Sequence, residues 1–332
     1  MKILILGAGV IGSFNAARLA EGGQDVTLLA RGRRLAELRE HGVVLEDFRT
    51  GRRSTTQVPL VDRLGPEDAY DLAIVIVRPN QIPSILPALK QNHLIPSILF
   101  LGNNAAGPQA LVDCLGRERV LMGMANTAGE RQGHVVRCLL SRRFPVMFGE
   151  LDDVTRPRTE AIVRLFRNAG LSARIVKNVD AYLKTHAAGL PACAGALYMA
   201  GGDIHRLERM PAALKLFVEA YREALRALPA GGIPLKPAAT RLIEWIPEPM
   251  LVLAMRLLFG SRLKIVSATE RVFNASADEM KTLADELRLI LRQSGLPSPA
   301  SDILFAQVDA RFQAGPQGFP TAPPAAPVVS QP

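Results

Sequence analysis

Ile3-Leu4-Ile5-Leu6-Gly7-Ala8-Gly9-Val10-Ile11-Gly12 stands at the very start of the chain. The four apolar residues predict a short buried strand, and the periodicity over Ile11–Glu21 predicts a helix that ends at Gly22-Gly23. Between them lies a Gly-x-Gly-x-x-Gly turn. Gly7 permits the tight turn, Gly9 lets the backbone approach a pyrophosphate, and Gly12 lets helix pack close to strand. The free N–H groups and dipole of the helix N-terminus then hold the phosphates. The spacing alone is a weak signal, and a glycine turn of structural use is the competing reading. The strand–turn–helix context, with a second strand at Asp25–Ala30, favours a dinucleotide site built from Gly7, Ala8, Gly9, Val10, Ile11 and Gly12.

The end of that second strand selects the cofactor. A site for NAD places Asp or Glu there to accept bonds from the ribose hydroxyls. Here Leu28-Leu29-Ala30 runs into Arg31-Gly32-Arg33-Arg34 with no carboxylate. A guanidinium suits a 2′-phosphate through charge-assisted bonds, so NADP(H) is expected. Arg31 is the first contact and Arg33 or Arg34 a further one, against the plainer reading of a basic solvated loop.

Outward from this motif, short apolar runs alternate with helical patterns. Strands are predicted at Leu72–Val77, Ser97–Leu101, Val120–Met124 and Ala173–Val176, with helices at 34–41, 83–91, 109–115 and 156–168. Such alternation implies a doubly wound, mostly parallel sheet with right-handed crossovers, a Rossmann domain. Val135–Leu139 and Pro145–Phe148 read as an antiparallel pair at its end. From Asp180, read as a helix N-cap, the periods become helical throughout. One helix is expected to Met199, kinked at Pro191, then Pro211 to Gly231-Gly232, then 238–246, 248–259, 263–293 and 300–312. The expected organisation is therefore an α/β Rossmann domain over 1–179, an all-α domain over 180–313, and a Pro-rich tail over 314–332 with too little apolar surface to fold.

The 332 residues carry a net charge of +9. That favours anionic ligands or a merely basic surface. No zinc-finger spacing, RNP motif or dense Lys/Arg tract points to nucleic acid. Cys114, Cys138 and Cys193 are scattered, so neither a disulfide framework nor a metal site is expected, and a cytoplasmic, reducing location is. The greasiest stretch, Met250 to Phe259, is interrupted by Arg256 and predicts a buried amphipathic helix rather than a membrane span.

With ILGAGVIG (5–12), VIVRPNQ (75–81), FLGNN (100–104), MGMANTAGERQG (122–133), AYLKTHAAGLPACAGAL (181–197) and SGLPSPASDIL (294–304), the chain resembles the ketopantoate reductase (2-dehydropantoate 2-reductase) family over residues 1 to about 312. The resemblance implies a Rossmann domain, a helical domain, an active site in the cleft between them, and reduction of a 2-oxo acid to a 2-hydroxy acid by NADPH. For the family substrate this is 2-dehydropantoate to pantoate, a step of pantothenate biosynthesis. It implies Lys184 as the catalytic ammonium that stabilises the forming alkoxide and delivers its proton. Without the family, Lys184 reads as a snorkelling lysine on an apolar helix. The resemblance further implies Asn103 at substrate or nicotinamide ribose, Arg78 near the cofactor, Ser267 on the substrate carboxylate, and Glu279 on the substrate hydroxyl. Read alone, these four are a turn asparagine, a loop arginine, a helix hydroxyl and an exposed acid. The twelve-residue spacing of Ser267 and Glu279 suggests one broad face of one helix.

The pattern departs where the family carries amides four and eight residues after the lysine. Ala188 and Ala192 stand there, and His186 is an addition. Asn103 is followed by Asn104 rather than Gly. These changes weaken the case for ketopantoate itself. A reductase for another carbonyl compound, or an NADP-binding redox sensor without turnover, are the alternatives. A small-molecule oxo-acid partner is expected, with no nucleic acid and no membrane, and a homodimer by resemblance.

Overall fold

The computed structural model describes residues 1–125, 127, 129–138, 145–261 and 264–315, and its contacts divide the chain into two units, Met1–Ala187 and Ala188–Pro332. The division falls eight residues beyond the boundary read at 179/180. The helix Val179–Ala187 packs on strands of the first unit and so belongs to it. The greater part of the Pro-rich tail, 316–332, and Leu139 of the expected 135–139 strand lie outside the described residues.

In the first unit the strands are β1 (Lys2–Leu6), β2 (Asp25–Leu29), β3 (Val43–Asp47), β4 (Arg53–Thr56), β5 (Leu60–Val61), β6 (Leu72–Val75), β7 (Ile98–Leu101), β8 (Val120–Met124), β9 (Gly129–Gln132), β10 (Val135–Cys138), β11 (Val146–Glu150) and β12 (Ala173–Ile175). The helices are α1 (Val10–Glu21), α2 (Gly32–His41), α3 (Ile82–Gln91), α4 (Gln109–Leu115), α5 (Pro157–Asn168) and α6 (Val179–Ala187). Eight strands form one sheet in the order β12-β11-β8-β7-β6-β1-β2-β5. All its pairs are parallel except β8–β11. β1 lies between β2 and β6, so the strand order reverses at the carboxyl end of β1, where this fold class opens its ligand crevice.

Period-two alternation gives the sheet its two cores. Ile3 and Ile5 face one side with Phe14 and Leu19 of α1 and Phe166 of α5. Leu4 and Leu6 face the other with Leu89 of α3, Leu111 of α4 and Leu183 of α6. Both faces are covered, so β1, β6 and β7 read as continuous apolar runs. Burying an aliphatic side chain of this size contributes about 1.5–3 kcal/mol.

A second, four-stranded sheet, β4-β3-β10-β9, packs on α1. The sequence reading missed β3, β4 and β9 and paired 135–139 with 145–148. Instead β10 lies parallel to β3 and antiparallel to β9, while β11 joins the large sheet antiparallel to β8. The pairing follows burial: Val136 and Cys138 share a core with Val43 and Leu45. Glu46 ties three strands, accepting from Arg53 Nε at 2.7 Å and Arg137 Nε at 2.6 Å. The Arg53 guanidinium first, and then that of Arg137, hold its carboxyl below the usual range. Burial pushes the Cys138 thiol up to about 12, which leaves it inert.

The second unit is helical: α7 (Leu190–Met199), α8 (Ile204–Glu208), α9 (Pro211–Ala230), a 3-10 turn (Ala238–Glu244), α10 (Glu248–Phe259), α11 (Lys264–Ala275), α12 (Ala277–Ser294) and α13 (Pro299–Gln313). α7, α9, α12 and α13 pack on one another. Glu223 of α9 caps α13 by accepting from the backbone N–H groups of Ala300 (3.0 Å) and Ser301 (2.8 Å). Tyr198 OH of α7 donates to Phe273 O at 2.6 Å.

Three expectations change here. The single helix to Met199 is two helices, α6 and α7, because the chain breaks at Ala188-Gly189 and Pro191 serves the first turn of α7. The predicted helix over 263–293 is likewise two, broken at Ser276, whose N–H and hydroxyl turn back to Phe273 O and Val272 O. The apolar stretch Met250 to Phe259 is helical as expected, yet only Phe259 of α10 is buried. Met250, Leu253, Leu257 and Leu258 stand out into solvent. Among the described residues no helix is long and apolar enough to cross a membrane.

Candidate functional site

The glycine turn sits at the carboxyl end of β1. Gly7 has φ +111°, and a Cβ there would stand 2.1 Å from Ile76 O; at Gly12 it would stand 1.7 Å from Gly7 O. Both glycines are demanded by the protein's own backbone. Gly9 differs: a Cβ on it would meet nothing within 4 Å. It is also the N-cap of α1, with no side-chain cap and no acidic residue in the first turn, so the helix N-terminus presents its N–H groups and positive dipole beside open space.

The three arginines after β2 separate by environment. Arg31, the N-cap of α2, is exposed, and its Nε donates to Asp62 O at 3.3 Å. Arg33 is exposed and paired with Glu37 at 2.9 Å. Arg34 is buried: it donates to Ala8 O (3.1 Å), Ser13 Oγ (3.1 Å), Glu37 Oε2 (3.3 Å) and His134 O (3.3 Å). Its guanidinium is committed to fixing the glycine turn and is no phosphate contact, which corrects the reading of Arg34 as a possible second one. Arg78 follows β6, half-exposed, where its backbone N–H donates to Gln81 Oε1 at 3.2 Å and opens the short turn Pro79–Gln81.

Asn103 follows β7 and, with Val77, Phe100, Gly102, Leu111 and Met122, lines a pocket at the carboxyl ends of β6, β7 and β8. Asn104 has a structural task. Its Oδ1 accepts from Gly107 N at 2.6 Å and its Nδ2 donates to Gly107 O at 3.4 Å. Gly107, at φ +88°, is thereby set against α6: a Cβ there would lie 3.0 Å from Lys184 Nζ and 3.2 Å from Asp180 Oδ1. Lys184 Nζ in turn donates to Asp180 Oδ2 at 2.6 Å. Asp180 is not the N-cap of α6; Asn178 is, through Oδ1 accepting from Ala181 N at 3.2 Å. The structure thus brings Lys184 to the β7–α4 loop that carries Asn103. The sequence reading missed the partner, although the i, i+4 spacing of Asp180 and Lys184 was its available signal.

In the second unit Ser267 is exposed on α11 and Glu279 is half-buried in the first turn of α12, so they lie on two helices rather than on one face of one. Ala188 and Ala192 are buried, at 1% exposure each, and amides there would need buried partners. His186 is exposed, and Thr185 Oγ1 donates to Ala181 O at 2.7 Å, a purely helical bond.

Residues 3–153 match the family model described as Ketopantoate reductase PanE/ApbA. The chain is 27% identical over 182 residues to the uncharacterized oxidoreductase YkpB of Bacillus subtilis (strain 168), covering 53% of this chain and 57% of that protein. It is also 27% identical over 184 residues to a 2-dehydropantoate 2-reductase of Pyrococcus horikoshii, covering 54% and 57%. The matched region thus spans little more than half the length of these relatives. The fold is that of D-mandelate dehydrogenase in complex with NADH and anilino(oxo)acetate (TM-score 0.77, 18% identity, 95% and 99% coverage). It is likewise that of a PanE/ApbA family ketopantoate reductase from Ralstonia eutropha JMP134 (0.71, 22%, 94% and 99%). Over residues 3–153, most of its first unit, this chain is similar to the ketopantoate reductase PanE/ApbA family.

Proposed function

We propose that the protein reduces a 2-oxo acid to a 2-hydroxy acid with NADPH, with 2-dehydropantoate to pantoate as the first substrate to test. The observation that carries this reading is a half-buried ammonium, Lys184 Nζ, held beside the β7–α4 loop of the unit that also carries the glycine turn. The residues fit the coenzyme. Gly9 leaves its surroundings open where Gly7 and Gly12 do not, and Arg31 offers an exposed guanidinium in place of the acid that reads a bare ribose. The coenzyme supplies hydride. The substrate carbonyl carbon takes it up, the C=O pair moves onto oxygen, and Lys184 Nζ donates a proton there and recovers one from water. Asn103 and Arg78 orient coenzyme and substrate, Ser267 meets the carboxylate, and Glu279 the hydroxyl, as the family pattern assigns them.

A panel of branched, linear and aromatic 2-oxo acids scored by NADPH consumption tests the reading and names the substrate. Consumption with none of them favours an idle coenzyme-binding sensor. That second reading draws on the buried alanines at 188 and 192, which remove two polar groups from the family's pattern. Coenzyme choice is tested by fluorescence titration. NADPH should bind more tightly than NADH, and Arg31→Ala should weaken NADPH by about tenfold or more, since a bond between charged groups contributes ~1.5–3 kcal/mol. Equal affinities in the wild type would remove Arg31 from the argument.

We also propose that the protein works in the cytoplasm, where its scattered thiols stay reduced, and as a homodimer formed through α10. Met250, Leu253, Leu257 and Leu258 recur at helical spacing, exposed by 61, 54, 67 and 39%, and Trp245 (83%) and Leu242 (62%) are exposed in the segment just before α10. Large apolar side chains exposed at helical spacing on one helix mark a surface that a partner covers. The stripe is self-complementary about a two-fold axis. In an antiparallel pair Met250 meets Leu257, and Leu253 meets the small Ala254. Sedimentation should show a dimer that Leu253→Asp with Leu257→Asp converts to a folded monomer whose melting no longer depends on protein concentration; a monomeric wild type contradicts the proposal.

A further inference from the structure

On a solvated helix an Asp–Lys pair at i, i+4 contributes little. The pair on α6 is different in three respects. The Lys184 side chain is only 12% exposed, so the ammonium is largely withdrawn from water. It is seated on the backbone of Gly107, in a loop that Asn104 clamps from both sides of the Gly107 peptide and that no residue with a Cβ fits without pressing on Nζ. Asp180, finally, serves no local backbone purpose. Asn178 already caps the helix, Asp180 Oδ1 is buried and accepts no hydrogen bond among the described residues, and Oδ2 accepts from Lys184. A carboxylate kept half-satisfied, with an ammonium as its one donor, is expensive to retain unless that ammonium must stay in place.

We propose that Asp180 is the positioning residue for Lys184. It takes one of the three ammonium N–H bonds and holds Nζ over Gly107, so that the other two are presented to the carbonyl oxygen of the substrate. Asp180 itself gains and loses no proton in the reaction. The proposal rests on the reading of Lys184 as the group that meets that oxygen, and the test separates the two ideas. Asp180→Asn keeps the shape and removes the charge, whereas Asp180→Glu keeps the charge.

Competitive acetylation of the intact protein with acetic anhydride, read lysine by lysine by mass spectrometry, reports the pair without any substrate. Lys184 should react more slowly than the exposed Lys215. Its rate should rise severalfold in Asp180→Asn and stay near wild type in Asp180→Glu. With the oxo acid found by the panel, Asp180→Asn should lower kcat on the order of 10²-fold, the scale of a displaced catalytic group, with coenzyme KM unchanged. Asp180→Glu should recover most of that loss. Acetylation of Lys184 unaffected by Asp180→Asn overturns the proposal, and so does faster acetylation with unchanged kcat. Faster acetylation in a protein whose wild type reduces no oxo acid supports the pairing and removes the reductase reading instead.

Discussion

Lys184→Ala is expected to lower turnover of the oxo acid by at least about 10³-fold, because a positioned proton donor contributes ~10²–10⁴ and a charge facing the forming alkoxide a further ~10²–10³ that overlaps it. The affinity for NADPH should stay within a factor of two. The ammonium touches Asp180 and Gly107, whereas the glycine turn and Arg31 are held by Arg34, Ser13 and Asp62. The loss should therefore fall on kcat and not on coenzyme binding. The substitution also leaves Asp180 without its donor. That carboxylate is about a third exposed, so water recovers part of the loss and the stability cost should be about 1 kcal/mol or less. Steady-state kinetics, a fluorescence titration and a thermal melt on the same preparation distinguish this from unfolding. Turnover within tenfold of wild type would remove Lys184 as the proton donor.

What was legible in the sequence is what local periodicity encodes. β1, α1, β8 and α4 lie within a residue of where their apolar patterns and glycines put them, and the order of strands and helices implied the parallel sheet. The second sheet was not legible, because its central pair joins Val43–Asp47 to Val135–Cys138 across some ninety residues, and no local pattern marks which strand a short apolar run will choose. Helix continuity failed for a related reason. Ala188-Gly189 and Ser276 are ordinary residues in a helical period, and only packing shows that the chain turns there. At the candidate site the glycine motif announced itself, and Lys184 was found through the family pattern. Asp180 was read as a helix N-cap, and Asn104 and Gly107 went unassigned, because their roles exist only once the β7–α4 loop is folded against α6. The exposure of α10 ran against its composition, since an apolar helix is expected inside unless a partner covers it.

Gly12→Ala and Gly9→Ala should fail in opposite ways, and the contrast tests the nucleotide site without any knowledge of the substrate. At Gly12 the new methyl would stand 1.7 Å from the carbonyl oxygen of Gly7, a backbone atom held between β1 and Ala8, whose own carbonyl accepts from Arg34. No rotamer relieves that contact. Overpacking of this kind costs ~1–3 kcal/mol when side chains can shift and more when only backbone can. A loss above about 3 kcal/mol is therefore expected, seen as a melting point lower by roughly 6–12 °C or as failure to accumulate. At Gly9 the backbone has φ −72°, which any residue adopts, and the methyl meets no protein atom within 4 Å. Melting of the free protein should be unchanged. The same methyl projects into the open space at the N-terminus of α1, where a diphosphate must come within hydrogen-bond reach of the peptide nitrogens. A displacement of even an ångström there forfeits several charge-assisted bonds, so NADPH affinity should fall by about 10²-fold or more. A Gly9→Ala protein that melts normally and still binds NADPH like the wild type would show that the open side of the turn serves something other than a dinucleotide.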